Sequence, residues 1–294
     1  MPREECPDNL QHTTYNLQHT TYNIQHTTYN LQHTTYNIQH TTYNIQPTTY
    51  NIQPTTFNIQ PATSNFNHTA MSRFTRLQVA TTMLQSGIIP VFYHKDLITC
   101  KDVLKACYDG GIRVFEFTNR GDFAHEVFRD LNKYAALEMP EMIMGVGSVV
   151  DSGTASLYIQ LGAGFIVSPV LNEDMAKVCN RRKILWCPGC GSVSEISRAE
   201  ELGAEIIKIF PGSQVGGPGF IEAVKGPMPW TNIMPTGGVD TSEESLKAWF
   251  QAGAACVGMG SQLLKKSLVE NHDYDLIMKT CQQVLEIAKK YKTS

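Results

Sequence analysis

The chain has 294 residues, 42% hydrophobic and 17% charged, with a net charge of −3, which is enough for one large domain or two small ones. Near-neutral charge, with no basic block or aromatic-basic interleaving, argues against nucleic-acid and membrane-surface binding and leaves small anionic ligands open. No apolar run of roughly 18 residues occurs, and no basic region leads into a secretory apolar stretch. The eight cysteines are scattered rather than framing loops, so reduced thiols and a cytoplasmic setting are expected.

The first segment is of low complexity. From Asn9 a seven-residue unit, Asn-Leu/Ile-Gln-His/Pro-Thr-Thr-Tyr, runs eight times and fades at Asn58–Ser64, and residues 9–72 contain no Asp, Glu, Lys or Arg. A period of seven suggests a coiled coil, but the large apolar residues are spaced five and two apart and the Thr-Thr pairs and prolines oppose helix. Disorder is expected, with some tendency to β-aggregation. Five repeats carry a histidine (His12, His19, His26, His33, His40), a spacing that builds no defined metal site in a flexible chain. So exact a repeat is also what tandem duplication of DNA produces. Met71, where charge and helical patterning begin together, offers a restart, so residues 1–70 read as a dispensable extension or a mis-called start. The rival reading makes the repeat an adhesive or assembly module.

After Met71 the pattern alternates. A helix over 73–86 leads into strand candidates at 88–93, 112–118, 142–146, 164–168, 184–187, 205–210, 232–236 and 254–258. Amphipathic segments lie between them at 99–109, 122–137, 151–161, 172–180, 192–202, 217–225 and 241–252, and a last helix covers 273–290. Glycines at Gly110-Gly111, Gly162, Gly203 and Gly253 mark helix ends. This βα order over residues 71–294 predicts an α/β fold, a (β/α)8 TIM barrel, with an open doubly wound sheet as the alternative. In a barrel, functional groups sit at the C-terminal ends of strands.

Two charges stand inside apolar strands. Glu116 in Phe115-Glu116-Phe117 and Lys208 in Ile207-Lys208-Ile209 both alternate with apolar neighbours, so both point into the barrel while the neighbours face the helices. Burying either charge is costly, and low-dielectric surroundings favour the neutral amine, a nucleophile towards ketones. A strand-end lysine that snorkels to water and a structural ion pair are the bland alternatives. A lysine and a glutamate at one barrel end are what Schiff-base chemistry requires, the amine to capture a carbonyl and the carboxylate to move protons. Thr236-Gly237-Gly238 and Gly258-Met259-Gly260-Ser261 offer unobstructed backbone amides to a phosphate, and Arg120 could clamp a carboxylate or else form an exposed salt bridge.

Cys187-Pro188-Gly189-Cys190 invites a redox reading, but it follows the fifth strand and lacks the thioredoxin arrangement, so Pro188 and Gly189 are expected to shape the site's rim. After residue 70 only His94, His125 and His272 occur, and no pair has metal-ligand spacing, so neither a metal nor another cofactor is expected. A phosphate-binding isomerase or synthase barrel, sharing the glycine loops without needing Lys208, is the rival enzyme.

With these residues placed, the chain from about Met71 resembles the class I 2-keto-3-deoxy-6-phosphogluconate (KDPG) and 4-hydroxy-2-oxoglutarate (KHG) aldolases. Phe115-Glu116-Phe117-Thr118-Asn119-Arg120 is similar to the family's general-base motif, and Gly145-Val146-Gly147-Ser148 and Val167-Ser168-Pro169 to its third and fourth strand ends. Lys208-Ile209-Phe210-Pro211 resembles the Schiff-base motif, and Pro235-Thr236-Gly237-Gly238 and Gly258-Met259-Gly260-Ser261 its phosphate loops. Four positions depart: Ser148 stands where threonine is usual, Val170 where glycine is, and Gly212-Ser213 where Ala-Glu is common. The resemblance implies that Lys208 forms the imine and Glu116 moves the protons. It further implies that Arg120, Ser148 and the Pro169 backbone hold the pyruvyl carboxylate, that Phe210 walls the pocket, and that Gly237, Gly238, Gly260 and Ser261 take the phosphate. The implied ligands are pyruvate and a phosphorylated 2-keto-3-deoxy sugar acid, and the implied assembly is a homotrimer.

Overall fold

The computed structural model describes residues 73–292, and the repeat segment with its expected disorder lies outside them. In chain order the elements are α1 (Arg76–Ser86), β1 (Ile88–Phe92), α2 (Leu97–Asp109), β2 (Val114–Thr118), α3 (Ala124–Glu138), β3 (Ile143–Gly147) and α4 (Ser152–Gln160). Next come β4 (Phe165–Val167), α5 (Glu173–Arg182), β5 (Leu185–Cys187), β6 (Gly189–Cys190), α6 (Val193–Glu201), β7 (Ile207–Ile209) and α7 (Gly217–Lys225). The chain continues through β8 (Ile233–Pro235), α8 (Glu243–Gln251), β9 (Val257–Met259), α9 (Lys266–Glu270) and α10 (Tyr274–Tyr291).

Short polar side chains start most of these helices by accepting from the free N–H groups of the first turn. Thr75 and Gln78 form a capping box on α1, each side chain accepting from the other's backbone N–H. Asp96, Asp151, Asn172, Ser192, Ser242 and Asp273 cap α2, α4, α5, α6, α8 and α10.

All strand pairs are parallel, in the orders β5-β4-β3-β2-β1-β9 and β6-β7-β8. β5 and β6 are halves of one strand interrupted at Pro188, which has no N–H to give to the ladder. Bridges Ile233–Ala254 and Thr236–Gly258 join β8 to β9, and the ring closes as a (β/α)8 barrel. Each predicted strand and helix has its counterpart, with ends moved by a few residues. The predicted 254–258 strand starts late because Ala254 makes only the isolated bridge, and α9 was not expected because five residues carry no apolar period.

Alternation along the strands sorts the barrel into an outer and an inner core. Phe115, Phe117, Ile207 and Ile209 pack outward with the helices. Ile89, Val114, Ile143, Phe165, Leu185 and Met234 fill the inside, where they meet Val79, Ala80 and Met83 of α1. This helix belongs to the inner cluster rather than the outer one, and its complete burial of Val79 and Met83 contributes roughly 1.5–3 kcal/mol for each. An Arg76–Glu205 ion pair at 2.7 Å fastens α1 to the segment before β7, and Arg73 donates to the Met139, Pro140 and Met142 carbonyls. The polar positions of the barrel lie towards the opposite, C-terminal strand ends. Among the described residues no helix is long and apolar enough to cross a membrane.

Candidate active site

Glu116 and Lys208 do point inward, and they meet. Glu116 is 1% exposed and Lys208 5%, and the Lys208 Nζ lies 3.9 Å from Glu116 Oε1, too long for a hydrogen bond but close enough for strong mutual attraction. Burial pushes the Glu116 carboxyl above the ordinary glutamate range, and Lys208 and then Arg120 offset part of that shift. Its Oε2 has no hydrogen-bond partner among the described residues. A buried carboxyl of this kind holds its proton to higher pH than a surface glutamate and releases it where a positive charge approaches. The centroid of the Phe210 ring lies 5.1 Å from Lys208 Nζ.

Arg120 follows β2 and is exposed, and its Nε donates to Ser148 Oγ at 3.2 Å, joining the ends of β2 and β3. Ser148 has φ 59, in the left-handed region where a β-branched side chain would be strained. Serine supplies a hydroxyl there at a lower conformational cost. Pro169 is half-buried, with its carbonyl so close to Gly189 that a Cβ on that glycine would sit 2.3 Å from it. The Pro188 carbonyl accepts from Lys208 N at 2.9 Å, so Pro188 and Gly189 belong to the barrel wall beside the lysine rather than to a free rim loop.

A cavity of about 420 Å³ opens beside these groups, lined by Arg120 and Phe210 together with Gly237, Gly238, Gly260 and Ser261. Gly237 and Gly238 have φ of 94° and 83°, a turn that side chains resist. Glu116, Lys208, Ser148 and Pro169 are not among the lining residues, so the predicted set falls into a buried pair and an open cavity lined by the glycine turns. A larger cavity, of about 480 Å³, involves none of these residues; it lies between α1 and α10 and is lined in part by Thr82, Arg113 and Leu285.

The Thr118 and Thr236 hydroxyls were not expected at the site. Both side chains are buried, and neither hydroxyl has a hydrogen-bond partner among the described residues. Thr118 stands two residues beyond Glu116 on the same strand face, a signal the alternation carries; Thr236 lines the cavity, as do Val91, Asp240 and Gln262.

The C-x-x-C pair divides between the two cores, Cys187 inside the barrel and Cys190 outside. Burial pushes the Cys187 thiol well up and the Cys190 thiol up to about 12, which disfavours the reactive thiolate. Among the described residues no three His, Cys, Asp or Glu side chains gather as a metal site would need.

Residues 79–280 match the family model described as KDPG and KHG aldolase. The chain belongs to this aldolase family. The KHG/KDPG aldolase of Escherichia coli K12 is 32% identical to it over 215 residues, covering 71% of this chain and 96% of that one. The 2-dehydro-3-deoxy-phosphogluconate aldolase of Pseudoalteromonas atlantica is 32% identical over 201 residues, 68% of this chain and 91% of its own. Among solved structures, the KDPG aldolase of Legionella pneumophila, with pyruvate captured as a covalent carbinolamine, superposes with a TM-score of 0.65 at 29% identity. It covers 70% of this chain and 98% of its own. As an aldolase, the protein is a carbon-carbon lyase.

Proposed function

We propose that this aldolase works by the class I mechanism. It would cleave 2-dehydro-3-deoxy-6-phosphogluconate to pyruvate and glyceraldehyde 3-phosphate, or 4-hydroxy-2-oxoglutarate to pyruvate and glyoxylate, in the cytoplasm. The observation that carries the reading is the buried Lys208–Glu116 pair at 3.9 Å beside a cavity that has Arg120 and two glycine turns in its lining. The Lys208 amine, once it has given up its proton, adds to the C2 ketone, giving a carbinolamine. Glu116 gives a proton to the departing hydroxyl, and loss of water leaves an iminium. That cation draws in the C3–C4 bonding electrons while the Glu116 carboxylate, directly or through water, takes the C4 hydroxyl proton. The aldehyde departs, the enamine is protonated at C3, and hydrolysis frees pyruvate and the amine.

In this reading Arg120, Ser148 and the Pro169 backbone hold the pyruvyl carboxylate, Phe210 confines the imine, and Gly237, Gly238, Gly260 and Ser261 receive the phosphate or other distal group. Arg120→Ala is expected to raise the pyruvate concentration needed for half-maximal trapping by roughly 10- to 100-fold, the scale of losing a hydrogen bond to a charged group. Titration of borohydride inactivation with pyruvate measures it, and an unchanged half-saturation would remove Arg120 from the carboxylate site.

The activity is assigned to residues 71–294. A chain beginning at Met71 should therefore turn over as fast as the full chain, and a large loss would give the repeat a role. Assembly as a homotrimer belongs to the same reading. Phe123, Val150 and Val170 are exposed by 68%, 53% and 46% in the loops after the neighbouring strands β2, β3 and β4, apolar side chains suited to contact between copies. Sedimentation equilibrium would give three times the chain mass if so, and the mass of a single chain if not.

A further inference from the structure

Among the described residues no hydrogen bond holds Glu116: no donor reaches Oε2, and the Lys208 Nζ is 3.9 Å from Oε1. The shape of the space it occupies therefore carries much of the carboxylate's positioning. On β3, the neighbouring strand, Glu116 pairs with Gly145 and Thr118 with Gly147. The Glu116 side chain rises from its own level towards that of Gly147, and the three heavy atoms nearest to a Cβ built on Gly147 all belong to it. Oε1 would be 1.7 Å from that Cβ, Cδ 2.5 Å and Cγ 2.9 Å. Atoms cannot approach so closely, so the carboxylate occupies the volume that any other residue would fill at this position.

We propose that Gly147 is a positioning residue for Glu116, its missing side chain defining where the proton-carrying carboxylate lies. The proposal rests on the class I reading of Lys208 and Glu116. The nearest neighbours of the added Cβ are the free end of a flexible side chain rather than backbone, and Gly147 is in ordinary strand conformation, not among the positive-φ residues. An alanine here is thus compatible with the strand and relocates the carboxylate instead of breaking the barrel. Moving a catalytic group by about 1 Å is enough to cost on the order of 100-fold in rate.

The test is a double-mutant cycle in the full-length chain, following pyruvate release from a 2-keto-3-deoxy aldol. Gly147→Ala should lower kcat on the order of 100-fold and shift the acid limb of its pH profile, because Glu116 moves relative to Lys208 and Arg120. In a Glu116→Ala background the same substitution should change the residual rate by no more than about twofold, since no carboxylate is left to displace. A wild-type rate and pH profile in Gly147→Ala, or an equal loss in both backgrounds, would overturn the proposal. If Gly147→Ala does not fold, the double variant should fold and melt with Glu116→Ala, as the clash is gone. Failure of the double variant to fold would also overturn the proposal. Should the wild-type protein neither release pyruvate nor bind it covalently, the class I reading itself fails, whatever Gly147 does.

Discussion

Lys208→Ala loses aldol cleavage by at least about 10³-fold, the scale expected when a nucleophile with no substitute in the site is removed. The barrel survives the change. The substitution deletes a buried charge rather than part of the apolar core, and Glu116, already pushed towards its neutral form by burial, takes up a proton once its strongest cationic neighbour is gone. A coupled assay for pyruvate and a thermal melt measure the two effects. Retained turnover would end the Schiff-base account, and an unfolded variant would leave Lys208→Met to separate chemistry from packing.

Glu116→Gln slows cleavage on the order of 100-fold, the usual contribution of a positioned proton carrier. Glutamine keeps the shape that fits beside Gly147, so pyruvate binding is retained and the loss falls on kcat. The pH dependence carries a definite sign. Burial raises the Glu116 pKa, so as pH falls the carboxylate is protonated, and its base function lost, at a higher pH than for an ordinary glutamate near about 4.3. The acid limb of the wild-type rate profile should lie on that side and vanish in Glu116→Gln. An identical acid limb in both proteins would mean another group sets it.

Much of this was legible in the chain. Strand alternation alone distinguished Glu116 from Phe115 and Phe117, and Lys208 from Ile207 and Ile209, because a charge among apolar neighbours must face a polar interior or meet a partner. Helix-ending glycines and the alternation of short apolar strands with amphipathic segments set the βα count by local physics. What escaped depends on contacts distant in sequence. The Arg120–Ser148 bond spans 28 positions, and Asp240 and Gln262 reach the cavity only once the ring has closed. Pro188 reads as a loop residue, yet parallel neighbours on both sides carry the fifth strand past it. Gly147 reads as one glycine in a glycine-rich strand end. Its importance lies in the space left for a side chain 31 residues earlier, which no local pattern announces.

The central claim is that the Lys208 amine forms the covalent bond to substrate. Incubation with pyruvate and sodium borohydride, followed by peptide mass spectrometry, tests it most directly. The account predicts a reduced carboxyethyl adduct on Lys208, formed only when pyruvate and borohydride are both present, and absent from Lys208→Ala. A protein that stays unmodified, or that carries the adduct on a different lysine, would contradict it.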